Sequence, residues 1–426
     1  MYSKILKHTI KITLVVSLFL LMLFILREKT IWPFTEDNQY RAYSFNKFGT
    51  IKKDALIKSN DFQSFLHNFK VDKFVLDNQL AHFDIYSENN DEVIIYGISY
   101  RNSGGRWDKD VSLNKLTYFK KTNKIKTEQI KTLNNIEISR DFLILNETNF
   151  LYSYVIKNEQ EDCRQLKVDL VNLEQDNVKN INNFYSTYCH NGPMHMVGGG
   201  LEKDQEGNIY LGVGDFNNPD LVLNKSYKLG KILKFNIKDE TNEIFATGFR
   251  NPQGMTFSES LGFLIESEHG PKGGDEINIV KKDRDYGWPL VSYGVPYALN
   301  LENYSKNKNS IFYHGSKKLY SYLTHEGFQK PVRTFVPDIG IKGIHVMPEN
   351  SQNFPLWSNH LFITSALGGS LVRIEFEDNK IINQELIYDD NKGRDISISP
   401  SGIIFVSSTK GETLDIIYPS NQVLGN

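Results

Sequence analysis

The chain has 426 residues, 40% of them hydrophobic and 12% aromatic, with 49 basic against 51 acidic residues and a net charge of −2. This is the composition of a folded globular protein, and it excludes disordered and collagen-like classes. The near-neutral balance, with no basic face, argues against nucleic acid as a partner.

The first element in chain order is an apolar run from Ile12 to Leu26, preceded by Lys4, Lys7 and Lys11 and closed by Arg27, Glu28 and Lys29. Its length falls between a signal-peptide core and the ~20 residues that span a bilayer, and no small-x-small cleavage site follows. The expectation is an uncleaved signal anchor over residues 1–30, a transmembrane helix with a cytoplasmic N-terminus. The body of the protein would then be membrane-anchored and exported, on the periplasmic or extracellular face. In such a compartment the two cysteines, Cys163 and Cys189, could pair, and two free thiols fit the sequence as well.

Between residues 40 and 420 no Pro/Gly/Ser-rich linker divides the chain, so a single domain is expected. Its texture is short β-rich runs broken by Asn, Asp and Gly turns. Six apolar strands stand out: Val93 to Tyr96, Phe150 to Val155, Ile209 to Val213, Phe263 to Ile265, Leu361 to Thr364 and Ile403 to Val406. Their spacing is about fifty to sixty residues, doubled across 266–360 and shorter at the end, and one four-stranded propeller blade takes that length. The reading is all-β: a six-bladed β-propeller with an insertion near 294–330. The lysine-rich stretch from Lys120 to Lys131 reads as the solvated face of a strand. Propeller blades converge on a central channel, so loops distant in sequence can meet round one pocket.

Three stretches carry residues suited to chemistry. In GPMHMVGGG (Gly192 to Gly200), His195 precedes a strand, and the next strand ends in Gly214-Asp215, a hairpin that would return Asp215 towards His195. A carboxylate on one imidazole nitrogen would fix the tautomer and leave the other as a general base. In GFRNPQG (Gly248 to Gly254), the Arg250 guanidinium stands beside the Asn251 amide on a loop pinned by proline and glycine. Such a pair can polarise a carbonyl or hold a carboxylate. Glu268-His269-Gly270-Pro271 can turn consecutive carbonyl oxygens one way, which suits a hard cation such as calcium. Asp275 and Glu276 follow as carboxylate donors. Each motif also has a plain structural explanation: a packed histidine, an arginine in an ion pair, a turn with a solvated acidic pair.

Taken in order, RNPQG (Arg250 to Gly254), EHGPKGGDEIN (Glu268 to Asn278) and DYGWP (Asp285 to Pro289) resemble the glucose/sorbosone dehydrogenase family of quinoproteins. His195 to Asp215 and Arg394-Asp395-Ile396 extend the likeness, which is strongest over 185–300, fair over 330–415 and poor before 180. The resemblance implies a six-bladed propeller that uses pyrroloquinoline quinone and calcium to oxidise C1 of an aldose to a lactone. It gives His195 the proton of the C1 hydroxyl, Asp215 the task of orienting His195, and Arg250 the charge developing on the quinone oxygen, with Asn251 beside it. The carbonyls of Gly270 and Pro271 would hold the cofactor's calcium, and Glu276 with the Tyr286 carbonyl matches a second, structural calcium site.

The chain departs from the family pattern at Gly200, where an arginine usually follows the glycine pair, and at Gly368, where a basic residue usually meets a cofactor carboxylate. The glutamine-and-glycine motif of the first blade is reduced to Gln79. Lys272, Lys342 and Arg394 are the cations available to meet the cofactor's carboxylates. The substrate would be a small sugar, and electrons would leave to an external acceptor, since no CxxCH haem-attachment motif is present. Two other classes fit such a propeller: a non-enzymatic module binding a protein or glycan, and a calcium-dependent lactonase. The loop 293–330, with His325, Glu326 and Phe328, reads first as an ordinary loop, and its alternative reading is a wall of the sugar pocket.

Overall fold

Short strands that are apolar on both faces need a sheet on either side, and sheets stacked round an axis supply one. In the computed structural model the residues described are 56–64, 66–102, 109–237, 241–271, 273–294, 321–322, 325, 327–367, 371–377, 380–389, 392–408 and 413–420. They form six antiparallel blades round a central channel. The innermost strands, numbered as blades 1 to 6, are Gln79–Glu88, Ile138–Ile144, Gly198–Lys203, Pro252–Ser258, Ile341–Val346 and Gly393–Ile398.

Each apolar strand singled out in the sequence falls on the second strand of a blade: Glu92–Asn102, Asn149–Asn158, Ile209–Val213, Phe263–Glu268, Leu361–Ser365 and Ile404–Ser408. That position lies between the sheets of two neighbouring blades. All five residues of Ile209–Val213 are buried, as are those of Leu361–Ser365 and Ile404–Ser408. Between blades 2 and 3, Leu151, Val155 and Val168 pack with Leu211, Val213 and Leu233. Each such side chain contributes roughly 1.5–3 kcal/mol on burial. The lysine-rich stretch ends in the outermost strand of blade 1, Lys124–Leu133, whose side chains are largely exposed.

The doubled spacing has a simple cause. Blade 4 runs Pro252–Ser258, Phe263–Glu268, Asp275–Val280 and Arg333–Phe335, so its insertion separates its third and fourth strands. The ring is closed by Asn68–Val75, which pairs antiparallel with Thr413–Pro419 in blade 6 and carries Leu56–Gln63 on its outer side. Helix is nearly absent: among the described residues there is one five-residue α-helix, Pro219–Leu223, and two 3-10 turns.

An innermost strand is a sheet edge with free backbone N–H groups, and these blades satisfy them across the junctions. Asp84 Oδ2 accepts from the Ile144 N–H (3.2 Å), Asp141 Oδ2 from Leu201 (2.6 Å), Glu202 Oε2 from Phe257 (3.1 Å) and Asp395 Oδ2 from Phe83 (3.0 Å). At the remaining junctions Thr256 Oγ1 accepts from the Val346 N–H (3.4 Å), and the Thr364 hydroxyl donates to the Arg394 carbonyl (3.0 Å). A carboxylate or hydroxyl thus staples each blade to the next.

Cys163 and Cys189 form a disulfide with Cα atoms 5.5 Å apart, so the free-thiol alternative does not hold. The bond ties the start of the strand Cys163–Glu174 to the segment that leads towards His195. The expected signal anchor, residues 1–30, lies outside the described residues, as do Lys272, Glu326 and Gly368. No helix among the described residues is long and apolar enough to cross a membrane.

Candidate functional site

The innermost strands enclose a cavity of about 350 Å³ on the propeller axis. The staple carboxylates of Asp84, Asp141, Glu202 and Asp395 line it, and so do His195, Arg140, Lys342 and Arg394. The three positive groups, Arg140, Lys342 and Arg394, come from blades 2, 5 and 6. Burial, then Arg394 and Arg140, push the Lys342 ammonium down to about 7. Burial and Arg394 likewise lower Arg140 to about 10. His195 is held below its ordinary value by burial first and then by Arg140, Arg250 and Lys342. Its imidazole is therefore neutral at pH 7 and free to accept a proton.

His195 sits on the 3-10 turn Met194–Met196 with its ring exposed. Its backbone is held tightly. The Asn251 amide donates to the His195 carbonyl (3.0 Å) while its oxygen accepts from the Gly198 N–H (3.0 Å). The hairpin return is also present: the Phe216 N–H donates to the Met196 carbonyl (2.9 Å) and the Gly214 N–H to Val197 (2.8 Å).

Asp215 is brought near but does not orient the imidazole as expected. Its carboxylate accepts from the Trp288 indole N–H (2.9 Å) and the Asn217 N–H (2.7 Å), and no hydrogen bond joins it to His195 among the described residues. The cause is local. Phe216 and Asn217 both take left-handed backbone (φ 50° and 60°), which turns the Asp215 side chain back onto its own turn. Burial raises the Asp215 carboxyl to about 6.

Arg250 is buried, with its guanidinium carbon 5.5 Å from the Trp288 ring centre. Its Nη1 donates to the carbonyls of His269 (2.8 Å) and Gly270 (2.6 Å). The backbone N–H groups of Arg250 and Asn251 both donate to Glu268 Oε2 (2.6 and 3.2 Å). The glutamate of EHGP therefore fixes the Arg–Asn pair, and the tryptophan of DYGWP bridges Arg250 and Asp215. Arg250, Gly270 and Pro271 stand behind the cavity wall rather than among the residues that line it.

The carbonyls proposed for calcium already have partners. Gly270 O takes Arg250 Nη1, and Pro271 O takes the Gly274 N–H (2.9 Å). Each keeps a second lone pair for a hard cation. Asp275 is structural: its Oδ2 accepts from the N–H groups of Ile339, Gly340 and Ile341. Glu276 is buried against His325 Nε2 (3.0 Å), whose ring stacks on Tyr293. His325 thus belongs to this buried pair and is not among the residues lining the axial cavity. Tyr286 is buried with its hydroxyl on the Ile279 carbonyl (2.6 Å), and no hydrogen bond links it to Glu276.

Sequence reasoning missed Arg140 and Trp288. Arg140 lies in ISRDFLI, where an isolated arginine at the start of a strand carries no motif. Trp288 stood inside DYGWP but gave no sign of its partners, one of which is 73 residues away.

The Glucose / Sorbosone dehydrogenase family model matches residues 111–416. The chain is 28% identical over 236 residues to the aldose sugar dehydrogenase YliI of Escherichia coli, covering 51% of this chain and 59% of that protein. It is 26% identical over 226 residues to quinoprotein glucose dehydrogenase B of Acinetobacter calcoaceticus, covering 41% and 46%. The chain spans about half the length of the curated relatives it matches. Among solved structures, the apo-form soluble aldose sugar dehydrogenase of Escherichia coli superposes with a TM-score of 0.64 at 20% identity, covering 83% of this chain and 100% of that one. The PQQ-bound aldose sugar dehydrogenase of Streptomyces coelicolor gives 0.54 at 13% identity, covering 82% and 98%. These likenesses support the six-bladed fold.

Proposed function

The chain belongs to the glucose/sorbosone dehydrogenase family, and from that premise we propose that it oxidises C1 of an aldose to a lactone using pyrroloquinoline quinone and calcium. The observation that carries the proposal is the convergence on one cavity of a neutral, exposed histidine, the buried Arg140 and the half-buried Lys342 and Arg394, backed by a fixed Arg–Asn pair.

The residues suit the cofactor. The quinone carries three carboxylates and needs cationic partners, and Arg140 Nη2 is a buried donor with no hydrogen-bond partner among the described residues. From behind the cavity wall Arg250 and Asn251 would supply positive charge and a donor towards the cofactor's side of the site, and the Gly270 and Pro271 carbonyls would hold the calcium. When bound, pyrroloquinoline quinone supplies the electron-pair sink for the hydride that leaves C1. His195 accepts the proton of the C1 hydroxyl, so that the C–H and O–H bonds break as the lactone C=O forms. Its position is fixed through its backbone by Asn251, which leaves the ring free to meet substrate. Arg250 cannot reorganise during the reaction, because two carbonyls and the Trp288 face hold its charge in place.

The formed disulfide and the apolar run near the N-terminus support an exported, membrane-anchored protein passing electrons to an external acceptor. The test is dye reduction by the purified chain loaded with quinone and calcium, across a panel of aldoses. Quinone-dependent turnover with at least one aldose is expected. Its absence across the panel would reject the proposal, and lactone hydrolysis without quinone would favour the hydrolase instead.

A further inference from the structure

We infer that Arg140 and Lys342, from blades 2 and 5, form the wall that binds the carboxylates of the channel's ligand, replacing the basic residues the chain lacks at Gly200 and Gly368. The identity of that ligand rests on the quinone reading above; the anion site does not.

The glycines of blade 3 make room for Arg140. Gly199 has φ +110°, and a Cβ built there would lie 2.4 Å from the Arg140 Cβ and 2.9 Å from its Cγ. The arginine passes over this backbone and donates through Nε to the Gly198 carbonyl (2.5 Å). Its Nη2 is buried with no hydrogen-bond partner among the described residues, and the side chain as a whole lines the axial cavity. The neighbouring glycine excludes the alternative. A Cβ on Gly200 would meet the Gln253 carbonyl oxygen at 2.9 Å and its carbon at 3.0 Å, so blade 4 fills the space an arginine there would need. The missing charge has moved to the adjacent blade.

Lys342 lines the same cavity, and among the described residues its ammonium has no hydrogen bond or ion pair. Arg394 is differently engaged, with Nε on the Ala81 carbonyl (3.1 Å) and Nη2 on His82 Nε2 (3.0 Å). Burial first, and then the neighbouring cations, lower the proton affinity of Lys342 and Arg140, against the opposing pull of Asp275 on the one and Asp141 on the other. A cation desolvated without an ion-pair partner costs stability and persists where a bound anion offsets it. A planar polycarboxylate meets both groups at once, one through a guanidinium and one through a point charge.

The test is titration calorimetry on the full chain with two probes: pyrroloquinoline quinone and trimesate, a benzene tricarboxylate without a quinone. Arg140→Gln and Lys342→Met are each expected to weaken binding of both by about tenfold or more, as for loss of a charged hydrogen bond. Lys282→Gln, an exposed lysine paired with Glu243, should change neither. Lys342→Met should also raise the melting temperature of the ligand-free protein, a gain that a structural lysine would not give. That variant carries the test even where Arg140→Gln folds poorly. Trimesate binding with this sensitivity but no quinone binding would uphold the anion wall and reject the quinone reading. Quinone binding that both variants leave unchanged would overturn the wall alone. A chain that binds neither probe would overturn both.

Discussion

Replacing Asp275 tests the structural logic of the most diagnostic segment. Its carboxylate is 1% exposed, and Oδ2 accepts from the N–H groups of Ile339 (3.2 Å), Gly340 (2.8 Å) and Ile341 (3.1 Å). One charge thus holds the backbone that enters blade 5, with His269 Nδ1 at 3.5 Å from its other oxygen. Asp275→Ala leaves three buried donors, each worth about 1–3 kcal/mol when unsatisfied. With one donor recovered by water, the expected loss is about 2–6 kcal/mol, against the roughly 5–15 kcal/mol that holds a domain together. Asp275→Asn keeps an acceptor and should lose about 1–3 kcal/mol. Urea unfolding of each variant gives these differences.

The pH dependence has a definite sign. Burial alone would raise the Asp275 carboxyl, but His269 and the backbone donors outweigh it and hold it below its ordinary value. Its contribution is therefore complete above the unfolded value of about 3.9 and is lost as pH falls through the lower folded value. The gap between wild type and Asp275→Asn should stay constant from about pH 8 to 5 and close only in strong acid. A cost below about 1 kcal/mol for Asp275→Ala would refute the reasoning.

Other outcomes follow from the same geometry. His195→Gln should lower quinone-dependent turnover by about 10²–10⁴ with little change in unfolding midpoint, because its ring is exposed. The acid limb of the wild-type profile should lie below about pH 6.5, since His195 is held under its ordinary value. Trp288→Phe removes the indole N–H from Asp215 and should cost about 1–3 kcal/mol in urea unfolding together with loss of turnover. Replacing both Cys163 and Cys189 by serine opens a link across 26 positions and should cost about 3–4 kcal/mol, read by unfolding with and without reductant. Equal stability of the doublet and the wild type would contradict it.

The blades were legible because second strands are buried on both faces and so read as continuous apolar runs, as in Ile209–Val213. Innermost strands face a polar channel, and Ile138–Ile144 carries Ser139, Arg140 and Asp141 where an apolar pattern would have announced it. That is why Arg140 escaped notice while RNPQG and EHGP did not. Closure by Asn68–Val75 was also hidden, since it pairs residues at opposite ends of the domain. Within the site, Asn251 meets the His195 carbonyl from 56 positions away, a neighbourhood that the family motifs implied and that local spacing alone does not give. Sequence reasoning mistakes the partner of Asp215, which depends on a side-chain direction set by two left-handed residues and on a tryptophan from a distant loop. Asp275 shows the same limit: a carboxylate beside a Gly-Pro turn suits a cation or three N–H groups equally well, and only the fold decides between them.

The central claim is most directly tested by anaerobic single turnover. The full chain, loaded with pyrroloquinoline quinone and calcium, is mixed with an excess of aldose while the absorbance of the bound quinone is followed. We predict stoichiometric loss of the oxidised-quinone band, slowed by about 10²–10⁴ in His195→Gln. A bound quinone whose spectrum no aldose changes, or that His195→Gln reduces as fast as wild type, would contradict the account.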